Sequence, residues 1–201
     1  PVTTTLDTGI SAVPLGDGKR MMLLFELGSP EGDVAKFTVL ALYDLEAKAP
    51  RLLDAANVGF SKSNFFLTPV ILPLGGGDLV LTLSLHFNSS QAYQTTVLTM
   101  LRDDRLVHVD DIFTFDDKFC AFERAQLVAF DIVPSATPFA NIEASVTETT
   151  TPTGQPCGDE KVPEAGERTI AVTYEWDAAA GRYVPDSDAF ERLAKENEER
   201  F

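Results

Sequence analysis

The densest run of side chains able to do chemistry is His86-Phe87-Asn88-Ser89-Ser90-Gln91-Ala92-Tyr93. It holds an imidazole, two amides, two hydroxyls and a phenol, groups that each donate and accept hydrogen bonds. Such a set suits sugars or peptide backbones, so His86, Asn88, Ser90, Gln91 and Tyr93 are candidate ligand-binding residues. Asn and Ser are also the ordinary residues of a tight turn. A second set is acidic: Asp103-Asp104, Asp110-Asp111 and Asp116-Asp117, with Asp131 further on. Calcium takes six to eight oxygens from converging loops, and Asp103, Asp104, Asp110 and Asp111 could supply several of them. The spacing matches neither an EF-hand loop nor a repeated Gly/Asp nonapeptide, and acidic pairs on turns also serve solubility and guard sheet edges.

Catalysis finds fewer residues. The only histidines are His86 and His108, and no helical His-Glu-x-x-His arrangement accompanies them. A Gly-x-Ser-x-Gly elbow is absent. Gly75-Gly76-Gly77 leads into a strand pattern, so it reads as a turn and not as a phosphate cradle. Two carboxylates with His86 or His108 could still serve a hydrolase acting on saccharide or ester. Convergence of such groups beside a cleft would be its mark.

Charge narrows the partners. The 201 residues carry 16 Lys and Arg against 31 Asp and Glu, a formal charge of -15, with no basic run. A nucleic-acid binder must neutralise phosphates with clustered cations, so nucleic acid and anionic membrane surfaces are poor partners. No apolar stretch approaches the roughly 18 residues of a membrane-spanning helix. Cys120 and Cys157 are the only cysteines, and pairing them would close a loop of 37 positions. An even pair in an acidic, strand-rich chain fits one disulfide in an oxidising compartment; the alternative is two thiols in the cytosol. The chain opens at Pro1 without an initiator Met, as a trimmed chain would. Together these point to an extracytoplasmic protein, periplasmic or secreted.

The elements that must position these residues recur in the sequence. Shifting the chain by 59 places Pro14-Leu15-Gly16-Asp17-Gly18 on Pro73-Leu74-Gly75-Gly76-Gly77, and carries Leu42-Tyr43-Asp44 onto Leu101-Arg102-Asp103. A third, divergent copy starts at Val133-Pro134. Side-chain parity agrees: Leu81, Leu83 and Leu85 map onto Ile142, Ala144 and Val146, and onto Met22, Leu24 and Glu26, with Glu26 the one mismatch. The pattern predicts three four-stranded antiparallel segments at about 9–60, 66–118 and 126–186. The first strand of each ends at a proline, which cannot donate to a ladder. Ser187 to Arg200 reads as a helix, opened by a capping box at Asp188 and Glu191, with Phe190, Leu193, Ala194 and Phe201 on a narrow stripe.

Where the first copy has the plain turn Gly28-Ser29-Pro30-Glu31-Gly32-Asp33, the second has the polar run around Asn88. Ligand recognition is expected where copies differ, since their shared parts are framework. The turn Gly16-Asp17-Gly18-Lys19-Arg20 resembles the Asp/Gly turn that precedes a strand in FG-GAP and VCBS-like repeats of bacterial surface proteins. That resemblance touches about five residues per segment and implies a propeller-like topology. The family's calcium ladder is not intact, because Asp17 stands alone and Gly76 takes its place in the second copy. The fold expected is therefore all-β in a single domain, propeller-like or else a β-sandwich, with a C-terminal helix. The function expected is a non-catalytic binding or assembly module of a bacterial envelope or secreted protein, self-associating or binding a saccharide or protein, with a hydrolase as the alternative.

Overall fold

The computed structural model describes residues 5–6, 9–28, 37–61, 63–158 and 161–200. Thirteen strands precede one helix: β1 (Thr5–Leu6), β2 (Ser11–Pro14), β3 (Arg20–Gly28), β4 (Phe37–Asp44), β5 (Arg51–Asn57), β6 (Ser63–Pro73), β7 (Asp78–Phe87), β8 (Gln91–Arg102), β9 (Arg105–Lys118), β10 (Phe122–Val133), β11 (Asn141–Pro152), β12 (Gly166–Asp177), β13 (Arg182–Pro185) and α1 (Ala189–Glu198). The all-β expectation and the C-terminal helix are both met. Residues 29–33, the first-copy turn, and Phe201 lie outside the described residues.

The strands form two antiparallel sheets. In the smaller, β3, β4 and β5 are successive neighbours, and β1 and β2 pair with different stretches of the other side of β3. The larger runs β13-β12-β11-β10-β9-β8-β7-β6, each strand beside its neighbour in sequence.

That order corrects the propeller expectation: no closed barrel or propeller forms among the described residues. The second and third four-strand segments share one sheet because β9 continues for 14 residues. It turns at Phe119 to Ala121 and runs back as β10. Asp110-Asp111 and Asp116-Asp117, read from sequence as turn residues, are interior to β9. Only Asp103-Asp104 is a turn. It joins β8 to β9 with both residues at positive φ, 49° and 58°, the geometry of a two-residue hairpin that follows the strand twist.

The chain divides into two compact units, Pro1–Leu85 with Thr95–Asp111, and His86–Gln94 with Ile112–Phe201. The first has a core built by period-two alternation. Met22 and Leu24 of β3 and Leu40 and Leu42 of β4 meet Val80 of β7 and Val97 and Leu101 of β8, all buried. Each such side chain contributes roughly 1.5–3 kcal/mol on burial. Glu26, the parity mismatch, keeps the inward position and is buried. The backbone and side-chain N–H groups of Asn64 both donate to its Oε1, at 3.1 Å.

In the second unit the registered rows Phe130-Ala144-Val172 and Ile132-Ile142-Tyr174 set apolar residues side by side across β10, β11 and β12. Phe190 and Leu193 of α1 are buried, with Asn197 continuing the same stripe. Asp188 makes no side-chain capping bond; its carboxylate pairs with Arg192 one turn on, so the expected capping box is replaced by an ion pair. Tyr183 of β13 donates from its hydroxyl to Ala140 O at 2.7 Å, and burial pushes that phenol up to about 12.

Candidate functional site

The β7–β8 tip is held by its own side chains. Asn88 Oδ1 accepts from the backbone N–H groups of Ser90 and Gln91, at 3.2 and 3.0 Å. Its Nδ2 donates to Gln91 Oε1 at 2.8 Å. Tyr93 donates from its hydroxyl to the same oxygen at 2.6 Å, and its ring rests on Phe115. Lys118 N–H, at the end of β9, donates to Ser90 O at 2.8 Å and ties the tip to the next hairpin.

That next hairpin opens soon after its turn. Its paired residues are Lys118 with Glu123 and Asp117 with Arg124. Beyond them, side chains substitute for ladder bonds: Gln126 N–H donates to Asp116 Oδ1 at 2.7 Å, and Phe115 N–H donates to Gln126 Oε1 at 2.9 Å. Beside this opening lies a hollow of about 250 Å³, lined by Phe87 to Ala92, Asp116 to Lys118 and Glu123 to Ala125. Asn88, Ser90 and Gln91 therefore line the same hollow. Tyr93 braces Gln91, and His86 lies against Tyr93 with ring centroids 5.8 Å apart; neither lines the hollow.

Two aspartates set its electrostatics. Asp116 Oδ2 accepts from Gln94 Nε2 at 2.9 Å, so both its oxygens meet neutral amide donors. Burial raises its carboxyl above the ordinary range, against those two bonds. Asp117 is 3% exposed; its Oδ2 accepts from Arg124 Nη1 at 3.0 Å, while its Oδ1 is buried with no hydrogen-bond partner. Burial raises this carboxyl too, with Arg124 and then Arg200 pulling it down. A buried acceptor left unmet costs about 1–3 kcal/mol, which offsets part of what the pair with Arg124 contributes.

Behind this wall stands a different carboxylate. Glu148 Oε1 accepts from Arg168 Nε at 2.9 Å, and Oε2 from Arg200 Nη1 at 2.7 Å and Gln126 Nε2 at 2.6 Å. Asn197 of α1 exchanges two bonds with the Gln126 amide, at 2.8 and 2.9 Å. Burial acts against ionisation of Glu148 most strongly, yet the bonds from Arg200, Gln126 and Arg168 together outweigh it and bring the carboxyl to about 2. Sequence parity held a sign of this group, since Glu148 follows Ile142, Ala144 and Val146 on the inward face of β11. Nothing local marked Arg124, Gln126 or Asn197.

The other expected groups take other roles. A hollow of about 370 Å³ in the first unit is lined by Asp17, Lys19, Arg20, Asp44, Glu46, Arg51, Leu53 and Asp104. Its charges pair internally: Lys19 with Glu46, Arg20 with both Asp17 and Asp104, Arg51 with Asp44. Asp103 meets Arg102. Asp110 Oδ1 accepts from Asp111 N–H, and His108 Nε2 lies 3.0 Å from Asp111 Oδ1 without the alignment of a hydrogen bond. The rise along a strand sets Asp104 and Asp110 roughly 20 Å apart. Among the described residues no three His, Cys, Asp or Glu converge as a metal set. Cys120 and Cys157 are joined as a disulfide with Cα atoms 5.7 Å apart, pinning the β9–β10 turn that borders the first hollow. Thr153 N–H donates to Ala121 O at 2.8 Å beside it.

No helix among the described residues is long and apolar enough to cross a membrane, and this with the disulfide is compatible with an extracytoplasmic protein. No protein-family model, curated protein or solved structure matches the chain.

Proposed function

We propose that the protein is a non-catalytic binding module of an extracytoplasmic protein, and that a small polyhydroxylated ligand of the saccharide class occupies the hollow beside the β7–β8 tip. One observation carries this reading. The amide- and hydroxyl-bearing tip, the part that distinguishes the second four-strand segment from the first, lines the same hollow as Asp116, Asp117, Lys118 and Arg124. Amides and carboxylates fixed by their neighbours are suited to orient hydroxyls, and Phe87, 66% exposed at the rim, offers a ring face for stacking. The framework reading of the shared turns, including their resemblance to FG-GAP and VCBS-like repeats, belongs to the same proposal.

The hydrolase alternative draws less support. Neither His86 nor His108 lines either hollow, and the His108 side chain is 59% exposed beside Asp111. Calorimetric titration of the full chain with a panel of mono- and disaccharides tests the binding reading. At least one sugar should bind with millimolar or better affinity, and Gln91→Ala should weaken it severalfold. Absence of binding across the panel, or binding untouched by Gln91→Ala, counts against the hollow.

A further inference from the structure

The charges around the hollow do not cancel. Lys118 is committed to Glu123 at 3.1 Å and Arg124 to Asp117 at 3.0 Å, with the Arg124 guanidinium also 5.4 Å from the centre of the Phe122 ring. Asp116 has only neutral donors. Three carboxylates therefore face two cations, in a chain whose formal charge is already -15. The deficit is local as well as global, because Asp117 Oδ1 has no hydrogen-bond partner although its side chain is 2% exposed. A charge shielded from solvent acts through a lower effective dielectric, so its field reaches into the hollow even though the oxygen itself is covered. Half-buried Asp116 is the carboxylate placed to make contact. Phe87 adds a ring face that attracts cations.

We infer that the hollow selects ligands bearing a protonated amine, an amino sugar over its neutral counterpart, with the ammonium drawn to Asp116 under the field of Asp117. This rests on the binding reading above and adds the charge of the ligand to it. Burial raises the carboxyls of both Asp116 and Asp117, at Asp117 by more than Arg124 and Arg200 offset, so a further cation beside them would be favourable.

The test is calorimetric titration of the full chain with glucosamine and with N-acetylglucosamine near neutral pH, where acetylation removes the charge and keeps the ring. Glucosamine should bind about two- to fivefold tighter at low salt, the range for one partly screened ion pair. Raising salt should shrink that ratio, which needs no variant. Asp116→Asn should bring it to about one, whereas Gln91→Ala should weaken both sugars alike. Equal affinities in the unaltered protein overturn the amine preference and leave the binding reading standing. Binding of neither sugar, with no other member of the panel bound, removes both.

Discussion

Two buried carboxylates of the second unit lie in comparable shade and behave oppositely. Glu148 is 7% exposed and Asp117 is 3% exposed, and for each the largest influence is burial, which disfavours the charge. What separates them is the supply of donors. Glu148 has two guanidinium groups and an amide on its two oxygens, and stays ionised down to about 2. Asp117 has one guanidinium on one oxygen, and its carboxyl moves up. Burial alone therefore does not decide whether an acidic residue is cement or a site. The count of donors does.

The sharpest way to break this comparison is to neutralise each carboxylate. Glu148→Ala leaves Glu196 as the remaining carboxylate for Arg168 and Arg200 and should cost about 2–3 kcal/mol in urea-induced unfolding, the range for charge-assisted bonds lost from a buried group. Asp117→Asn keeps an acceptor for Arg124 and removes a charge that burial penalises more than Arg124 and Arg200 offset, so its cost should stay within about 1 kcal/mol. If the two variants unfold alike, the division between them is mistaken.

Acid titration of stability comes next. The Glu148 carboxyl lies at about 2 in the folded chain against an ordinary 4.5. Its stabilisation is therefore whole above 4.5 and is lost as pH falls from there through about 2, by roughly 3 kcal/mol at most. Asp116 and Asp117 have the opposite sign, because their folded carboxyls lie above the ordinary 3.8. Their penalty is full above the raised values and is relieved as pH falls toward 3.8. Glu148→Gln should flatten the acid limb below 4.5, and Asp117→Asn should remove part of the relief above 3.8, both read from unfolding curves at stepped pH. An acid limb left unchanged by Glu148→Gln would contradict the assignment.

A smaller effect sharpens the cement side. Asn197→Ala removes both bonds to the Gln126 amide and should cost about 1–2 kcal/mol, with hydrogen exchange rising in α1 before the β10–β11 ladder. Smallest of all, alkylation without reductant should leave the mass unchanged, since Cys120 and Cys157 are joined. Uptake of alkylating agent by the untreated chain would contradict that bond.

Much of the strand framework was legible because its signals are local. Pro14, Pro73 and Val133-Pro134 mark strand ends, and alternation in β3 and β11 gives their inward faces. In β7 it does not, since Leu83 and Leu85 are half-buried while Val80, Thr82 and Ser84 on the opposite parity are buried. The extent of β9 was hidden because Asp110-Asp111 and Asp116-Asp117 carry turn chemistry in their side chains while the surrounding Ile112, Thr114 and Phe115 carry the strand. With β9 cut short, its pairing to β10 disappears and the sheet divides into blades. Glu26 looked like an error of register and instead keeps it, its charge met by Asn64 from a strand far along the chain. The polar tip could be read as a cluster, but its wall could not. Arg124 and Gln126 acquire meaning only once β9, β10 and β11 stand side by side.

The simple order of the larger sheet bears on how it is made. From β7 to β13 every strand lies beside the one synthesised just before it. A chain emerging from the ribosome can extend this sheet one strand at a time, without waiting for distant segments, and contacts of short sequence separation favour rapid assembly. The end of α1 and the residues just after it are different: Asn197 reaches back 71 positions to Gln126, and Arg200 reaches back 52 to Glu148. Without those two residues, Gln126 keeps its bonds to Phe115 and Glu148, and Glu148 keeps Gln126 and Arg168, but each lacks the partners that complete it. Docking of the helix is thus the long-range step that follows a locally assembled sheet.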